Sequence, residues 1–272
     1  MRVRLAIVRQ VPEYREIDHL TRLSWRSPMQ PLAGILDALE SFYGEQVPSA
    51  PTDPYLFLIW WHCGYPPSEE RCNRGWEALT AATGVSAAEL AAAKPSRLVR
   101  TLKAGGMVPE LRAARLKSIA RSVLEDYAGD LRGALAAVPE GEAHRRLRKF
   151  PGIGAPGADR ILLFSGLAPA AAVPSGSPHV LVRIESGCEG AKYTATYAKA
   201  QQLIETQSPA TLEARRRAYL LLQRHARELC KARNPKCGEC PVSGGCRYFA
   251  SVARQPRPPD APRAPRPRRA RR

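Results

Sequence analysis

The sequence predicts an all-α fold, and three observations carry that prediction. Apolar residues recur at spacings of three and four along most of the 272-residue chain, as they do on one face of a helix. Capping patterns precede several of these stretches. Alternating apolar and polar runs, which are typical of half-buried strands, are nearly absent. A hydrophobic share of 44% is enough to build a sizeable core, so the composition excludes wholesale disorder.

The helices of the first half are predicted from spacing and from capping residues. A first apolar stretch with helical spacing covers residues 31–43. Asp53 offers an N-cap with Pro54 in the first helical position, where the N–H that proline lacks would have no partner anyway. Ser86 and Glu89 form the reciprocal capping box that begins another helix.

The elements of the second half are predicted in the same way. One helical stripe consists of Leu116, Ile119, Val123 and Tyr127. The Pro- and Gly-rich segment from Ala168 to Pro178 predicts a loop between helices. Ser208 and Pro209 are expected to cap the helix that leads into a cysteine-rich segment.

The charge of the chain predicts a polyanionic partner. Lys and Arg number 42 against 25 Asp and Glu, which gives a formal net charge of +17. The tail from Arg254 to Arg272 holds eight arginines and one aspartate, and its prolines keep it extended. Such an arm adds sequence-independent phosphate contacts, unless it is a solvated tail with no dedicated role. It has no apolar face for a bilayer, so nucleic acid is favoured over a membrane.

Apolar runs in the chain are short, and this predicts a cytoplasmic, nucleoid-associated protein. No stretch reaches the roughly 18 apolar residues that a transmembrane helix needs. The apolar run near the N-terminus extends only from Leu5 to Val8, which is too short for a secretory signal. In a reducing compartment the seven cysteines are expected to be free thiols or metal ligands.

Four of these cysteines form a cluster with the spacing C-x6-C-x2-C-x5-C. They are Cys230, Cys237, Cys240 and Cys246. Four thiolates without histidine suit either a [4Fe–4S] cluster or tetrahedral zinc. Structural zinc usually has two close CxxC pairs, and this segment has one, so iron–sulfur is favoured over zinc and over unliganded thiols. The cysteines outside the cluster, which are Cys63, Cys72 and Cys188, are expected to be small buried hydrophobes.

A second motif, the segment FPGIG at residues 150–154, lies between two helical stretches. Its two glycines permit a tight turn with bare N–H groups, which form a phosphate cradle together with the start of the following helix. A plain helix–helix turn is the alternative. The predicted DNA contacts are Lys149, Pro151, Gly152, Ile153, Gly154 and Arg160. Further positive charge comes from Arg145, Arg146 and Arg148.

The two motifs together carry a family resemblance. FPGIG between two helices resembles the helix–hairpin–helix of the endonuclease III-like DNA glycosylase superfamily, and HARELCKARNPKCGECPVSGGC is similar to that family's [4Fe–4S] loop in order and spacing. The resemblance implies a two-lobed all-α fold that bends duplex DNA in the cleft between the lobes. It also implies that the four clustered cysteines hold the [4Fe–4S] cluster.

This resemblance implies a domain organisation and a partner. Residues 1–52 and 176–250 form a cluster lobe, residues 53–175 form a helical barrel lobe with the hairpin, and residues 251–272 are a disordered tail. The expected partner is double-stranded DNA, damaged or abasic, bound by a monomer and without a membrane.

Two catalytic positions of the family hold other residues in this chain. In the family, a lysine two residues after the second hairpin glycine forms a Schiff base with the sugar, and that position is Pro156 here, which has no amine. The family's aspartate falls, according to the register chosen, on Gly176, Ser177 or Pro178, and none of these is a carboxylate. AP-lyase activity is therefore not expected, and glycosylase activity is expected to be weak, divergent or absent.

Other residues near these positions carry lesser expectations. His179 is expected to cap or pack a helix, Glu185 is a poor catalytic replacement, and Tyr65 is a loop aromatic that could act as a stacking wedge. Two alternative functions stay open at this point. One is a non-catalytic DNA-damage-binding protein, and the other is redox sensing through the cluster.

Overall fold

Helices dominate the part of the chain that the computed structural model describes, which is residues 31–66 and 68–253. Within those ranges no strand is present, so the prediction of an all-α fold is confirmed. None of the described helices combines the length and the apolar character that crossing a bilayer requires. The helices are α1 (Leu32–Tyr43), α2 (Pro54–His62), α3 (Glu69–Ala82), α4 (Ala87–Ala92), α5 (Pro95–Leu102), α6 (Pro109–Asp126), α7 (Leu131–Ala136), α8 (Glu140–Leu147), α9 (Ala155–Ser165), α10 (His179–Ser186), α11 (Tyr193–Gln207), α12 (Leu212–Glu228) and α13 (Arg247–Ala253).

Capping side chains explain where several helices begin. Asp53 caps α2, and the Ser86–Glu89 capping box opens α4, as the sequence predicts. The prediction at Ser208 is wrong, because Ser208 ends α11 and Thr211 caps α12. Serine and threonine hydroxyls both accept the required hydrogen bond, so two caps three residues apart are hard to separate from sequence alone.

The described helices pack around two large hydrophobic cores, and a small third cluster holds Leu163, Phe164, Ala172 and Tyr219. The first core is built mainly by α2–α9 and contains the fully buried Trp60 and Leu116. The second core joins α1 to α10–α12 and contains the fully buried Leu39 and Leu222. From Pro31 onward the chain nevertheless forms one compact unit. Two cores agree with the expectation of two lobes, whereas the lobe boundaries stay predictions.

Two expectations fall on the ends of the chain and lie outside the described residues. They concern the contribution of residues 1–30 to the cluster lobe and the disorder of the tail from residue 254 on. The prediction that the tail begins at residue 251 is wrong, because residues 251–253 form the end of α13. Among the cysteines outside the cluster, Cys63 and Cys72 are buried as predicted. Cys188 is exposed, so that prediction is wrong. Cys188 lies in the loop after α10, beyond the glycine that ends the helix, and neither core reaches it.

Candidate functional site

The tight turn between α8 and α9 exposes backbone N–H groups. Gly152 has a φ of +73°, the left-handed conformation that favours glycine. The N–H groups of Gly152 and Gly154 take no part in the backbone hydrogen bonds of the turn. Gly154 is also the N-cap of α9, and no side chain caps that helix start. Free N–H groups and the positive end of a helix dipole together form a site for a phosphate.

Two apolar side chains fix this turn to the first core. Phe150 and Ile153 are buried there, and the Phe150 ring stacks on Tyr127 with the ring centroids 6.0 Å apart. Ile153 therefore offers no side chain to a ligand, and its N–H already donates to the Phe150 carbonyl at 3.2 Å, while Gly152 and Gly154 are exposed. A turn that is held in this way loses little conformational freedom when a ligand binds.

The positive charge around the turn is smaller than the sequence indicates. Arg145 and Arg146 both pair with Glu142, at N···O distances of 2.7 and 3.1 Å. Arg148 and Lys149 are exposed and form no ion pair within residues 31–66 and 68–253. These two side chains are the cations of the segment that remain available to a phosphate.

Arg160 points into the protein interior. It is 8% exposed, and its guanidinium lies over four aromatic rings, 5.0 Å from the Phe57 centroid and 5.3 Å from the Tyr219 centroid. Trp60 and Phe164 supply the other two rings. This position gives no support to the prediction of a phosphate contact. The cation–π contacts instead join α9 to α2 and α12.

Two residues beside the turn were missed by the sequence reasoning. A Cβ added to Gly152 would meet Arg115 Nη1 and His62 Nε2, each at 3.2 Å. Arg115 comes from α6 and His62 from α2, and no spacing pattern in the sequence links either helix to the turn. Arg115 thus brings a further guanidinium to the exposed glycine.

His62 supports the turn from the inside. Its side chain is buried, and Nδ1–H donates to the Leu58 carbonyl at 2.8 Å. Within the described chain, Nε2 has no hydrogen-bond partner. Burial lowers the pKa of His62, and the nearby Arg115 charge lowers it further, so the ring is neutral at pH 7.

An exposed apolar ridge, formed by Tyr65, Met107 and Val108, lies between the end of α2 and the start of α6. Tyr65 is 44% exposed and Met107 is 63% exposed. The Tyr65 N–H donates to the Gly105 carbonyl, and the Met107 N–H donates to the Tyr65 carbonyl, both at 3.0 Å. Along α6, Val108 and Arg115 are separated by about 10 Å, so the ridge begins two helical turns from the phosphate turn.

A buried arginine holds the loop that carries Met107. Arg112, on α6, donates to the carbonyls of Cys63 at 2.6 Å, Leu102 at 2.7 Å and Gly106 at 2.9 Å. It also donates to the Met107 carbonyl at 2.9 Å. One guanidinium therefore satisfies four backbone acceptors from both sides of the apolar ridge.

The residues at the two family catalytic positions are accessible. Pro156 is the second residue of α9 and is half-buried. Gly176 is exposed, and a Cβ added there would meet nothing within 4 Å. Ser177 is half-buried, and Pro178 is the buried N-cap of α10. The turn at residues 175–178 therefore has room for a larger side chain at Gly176.

His179 and Glu185, the other two residues considered for chemistry, have structural partners. His179 is buried at the start of α10, and its Nε2–H donates to the Cys230 carbonyl at 2.8 Å. This agrees with the expectation of a packing role. Glu185 forms an ion pair with Lys199 at 3.6 Å.

The four clustered cysteines lie around one cavity near the second core. Cys230, Cys237, Cys240 and Cys246 line it together with mainly apolar side chains such as Ile184 and Phe249. In the described part of the chain, no three acidic, imidazole or thiol groups converge on the position of a single metal ion. The thiols surround a space rather than a point, and four thiolates in an apolar enclosure fit a polynuclear iron–sulfur cluster.

A buried arginine supplies positive charge at this cavity. Arg183 Nη1 lies 3.9 Å from Cys230 Sγ, and the same side chain donates to the carbonyls of Lys231 at 2.8 Å and Ala232 at 3.0 Å. Burial raises the pKa of the Cys230 thiol to about 11, and the Arg183 charge opposes that rise. A cation at this position favours the thiolate form that binds iron.

A hydrogen-bonded histidine contacts a second thiol. His225 Nε2 lies 3.6 Å from Cys240 Sγ. On the other side of the ring, the Tyr43 hydroxyl lies 3.0 Å from His225 Nδ1. The phenol of α1 and the imidazole of α12 therefore connect the cysteine segment to the second core.

Comparisons with known proteins agree with both motifs. Residues 230–246 match the family described as the iron-sulfur binding domain of endonuclease III. The chain is 27% identical over 161 residues to the endonuclease III of Thermotoga maritima, which corresponds to 59% of this chain and 68% of that protein. These matches confirm the [4Fe–4S] prediction against the zinc alternative.

Solved structures share the fold over most of this chain. A non-covalent endonuclease III–DNA complex aligns with a TM-score of 0.66 and 19% identity, covering 84% of this chain and 100% of that chain. A trapped endonuclease III–DNA covalent intermediate aligns with a TM-score of 0.65, 18% identity and coverages of 82% and 97%. A thermostable thymine-DNA glycosylase aligns with a TM-score of 0.64, 22% identity and coverages of 81% and 95%.

Proposed function

Because the chain is an endonuclease III-like protein of the helix–hairpin–helix glycosylase fold with a [4Fe–4S] cluster, we propose that it binds damaged or distorted duplex DNA without Schiff-base strand cleavage. One observation carries this proposal. The turn at residues 150–154 presents unpaired N–H groups and an uncapped helix start beside exposed cations. Such a site binds the phosphate backbone of nucleic acid independently of sequence.

The proposed phosphate contacts differ in part from those predicted from sequence. They are the backbone N–H groups of Gly152 and Gly154 with the side chains of Lys149, Arg148 and Arg115. Pro151 has no N–H, and the N–H of Ile153 donates to the Phe150 carbonyl at 3.2 Å. Arg160 is left out, because its guanidinium is buried among aromatic rings.

The apolar ridge supports the preference for distorted DNA. Exposed apolar side chains near a phosphate site insert between base steps, and the unstacking costs less where the duplex is already disrupted. Met107 is 63% exposed and Tyr65 is 44% exposed, so packing in a hydrophobic core does not account for these apolar residues. We infer that these two side chains, two helical turns from the phosphate turn, lie within a few base pairs of the phosphate that the turn binds.

The absence of strand cleavage follows from two positions. Pro156 has no amine with which to form a Schiff base, and no carboxylate stands at residues 176–178 to assist one.

The four cysteines hold the cluster, which when bound supplies a rigid iron–sulfur staple for the C-terminal segment. In this proposal the lobes are residues 53–175 and the remainder of the described chain up to residue 250, and a monomer binds the DNA in association with the nucleoid.

Binding to paired duplexes tests the proposal. The holoprotein is titrated against a duplex with a stable abasic-site analogue and against the intact duplex of the same sequence. We expect tighter binding to the abasic duplex, and we expect Met107→Ala to reduce that preference. Leu124→Ala is the matched control, because Leu124 is an exposed apolar residue in the last part of α6, the helix that follows Met107. Equal affinity for both duplexes, or no retention of either, would contradict the proposal.

Borohydride trapping tests the chemistry separately. Reduction in the presence of a true abasic site traps a covalent adduct whenever an amine of the protein forms a Schiff base. We expect no adduct with the wild-type chain. A trapped adduct would show that another amine replaces the family lysine.

A further inference from the structure

A buried polar cluster lies one helical turn below Pro156. Asp159 follows Pro156 by three residues on α9, so the two side chains lie on the same face of the helix. The Asp159 carboxylate is 10% exposed. It accepts hydrogen bonds at Oδ2 from the Tyr197 hydroxyl and from Gln201 Nε2, both at 3.1 Å.

The same cluster contacts the segment that leads to residues 176–178. The backbone of Val173 lies beside the Tyr197 hydroxyl. The Tyr193 ring stacks on Tyr197 with the centroids 6.1 Å apart, and its hydroxyl donates to the Ser175 carbonyl at 3.0 Å. Asp159 is therefore linked to both segments whose family catalytic side chains are absent from this chain.

A histidine completes the cluster from α8. His144 Nε2 lies 3.2 Å from Asp159 Oδ1, and the His144 side chain is 23% exposed. Because a carboxylate only accepts, the proton of a neutral ring lies on Nε2, and Nδ1 keeps its lone pair. Within the described residues, Nδ1 takes part in no hydrogen bond. A histidine with one nitrogen in contact with a carboxylate and the other nitrogen without a partner is an arrangement suited to taking up a proton.

We propose that His144 and Asp159 form an acid–base pair that releases a damaged base from the bound duplex by hydrolysis, with His144 as the proton acceptor and Asp159 as its positioning residue. Asp159 lies about 8 Å along α9 from Gly154, the glycine at which the phosphate turn ends and the helix begins. This inference rests on the proposed binding of damaged duplex DNA, and it adds a chemical step that uses neither family position.

The reaction balances with water as the only co-reactant. The water oxygen bonds to C1′ of the sugar as the C1′–N bond breaks, and the bonding electron pair leaves on the base nitrogen. His144 Nδ1 takes the proton from the attacking water, and the departing base is protonated by solvent. Asp159 stabilises the imidazolium that forms. The substrates best suited to this step carry a base that already departs readily, such as an alkylated purine.

Ionisation of the pair is shaped by its surroundings. Burial raises the pKa of Asp159, while His144 and the donors Tyr197 and Gln201 favour the carboxylate. Glu140, at the start of α8, adds negative charge nearby. Tyr197 and Glu140 are the other ionisable groups beside the pair, and burial raises the pKa of Tyr197 so that it stays a neutral donor.

Single-turnover base release tests the pair. The holoprotein is incubated with duplexes that contain 7-methylguanine, uracil or an oxidised pyrimidine, and free base and duplex affinity are measured on the same samples. We expect the wild-type chain to release at least one of these bases. Asp159→Asn and His144→Ala should each lower the release rate by about 100-fold or more while duplex affinity changes less than about threefold. Glu140→Gln is the matched control, since it removes a nearby charge outside the pair, and its rate should stay near that of the wild type.

Two readouts separate catalysis from a structural role. The shape of the rate–pH profile should differ between His144→Ala and the wild type, and added imidazole should restore part of the lost rate. Release rates equal to that of the wild type in both variants would overturn the proposed acid–base pair. The proposal would also fail if His144→Ala lost activity that imidazole does not restore while its rate–pH profile kept the wild-type shape. A wild-type chain that retains the abasic duplex but releases no base would overturn the pair and leave the proposed function intact. A chain that retains no duplex would contradict the proposed function itself.

Discussion

Gly152 connects the phosphate turn to two distant helices. Its positive φ disfavours any other residue, and an added Cβ would meet Arg115 and His62 at 3.2 Å, so those side chains would have to shift. The turn therefore owes its shape both to local glycine conformation and to contacts from α2 and α6. Only the first of these contributions is visible in the sequence, where the FPGIG pattern predicts a turn but not its neighbours.

The buried imidazole of His62 makes stability depend on pH. Its pKa is lowered from the ordinary value of 6.5, so the unfolded chain takes up this proton more readily than the folded one. The free energy of unfolding should therefore be highest above pH 6.5. It should fall below that pH by at most about 1.4 kcal/mol per pH unit until the folded ring also titrates.

Denaturant unfolding at several pH values checks this prediction. The His62→Gln variant keeps a donor of similar size but does not titrate. We expect the difference in free energy of unfolding between wild type and variant to shrink from pH 7.5 to pH 5.5. A difference that stays constant, or that grows toward acid, would mean that His62 is not held neutral.

At the scale of elements, the loop before α6 is shaped by one side chain. Arg112 is buried, and its four carbonyl acceptors come from the end of α2, the end of α5 and the loop itself. The contacts fix the backbone beneath the apolar ridge. A buried carbonyl without a donor lowers the stability of the fold, and so does a buried cation without a partner. Arg112 and its four carbonyl acceptors therefore stabilise one another.

Replacement of Arg112 should therefore be costly. Arg112→Met keeps much of the side-chain volume and removes all four hydrogen bonds. We expect it to lower the free energy of unfolding by about 3 kcal/mol or more. Arg112→Lys, which keeps the charge and some donors, should lose less. Chemical denaturation measures both variants, and a loss below about 1 kcal/mol for Arg112→Met would contradict the assigned role.

Local patterns in the sequence predicted the elements well. The caps at Asp53 and Ser86 and the spacing of the four cysteines each depend on residues close together in the chain. The structure added what depends on long-range packing, such as the approach of Arg115 to Gly152 and the His144–Asp159 pair. The prediction for Arg160 failed for the same long-range reason. This cation lies near the turn in sequence, but its position on α9 directs the side chain into the interior, toward the aromatic rings.

At the scale of the whole molecule, the cysteine segment closes the second core. Cys230, Cys240 and Cys246 pack against that core, and Arg183 ties the start of the segment to α10. Metal binding of this kind contributes directly to folding, because the site is not preformed in the unfolded chain. Loss of the cluster should therefore loosen α10, α12 and α13 together.

Cys240→Ala tests this coupling. We expect lower iron content, loss of the visible absorbance of the cluster and a reduced Tm, since one thiolate ligand is removed. Cys188→Ala is the matched control, because Cys188 is exposed and lies outside the segment. Iron content and Tm in Cys240→Ala equal to those of the wild type would show that this cysteine is not a ligand.

The salt dependence of duplex binding tests the phosphate turn most directly. The logarithm of the affinity falls linearly with the logarithm of salt concentration, by about 0.9 for each phosphate contact. We predict that Lys149→Ala weakens binding equally across DNA sequences and flattens this slope by about one, whereas Lys94→Ala, which removes an exposed lysine at the start of α5, leaves the slope unchanged. A Lys149→Ala slope equal to that of the wild type, or an equal flattening by Lys94→Ala, would contradict a DNA grip centred on this turn.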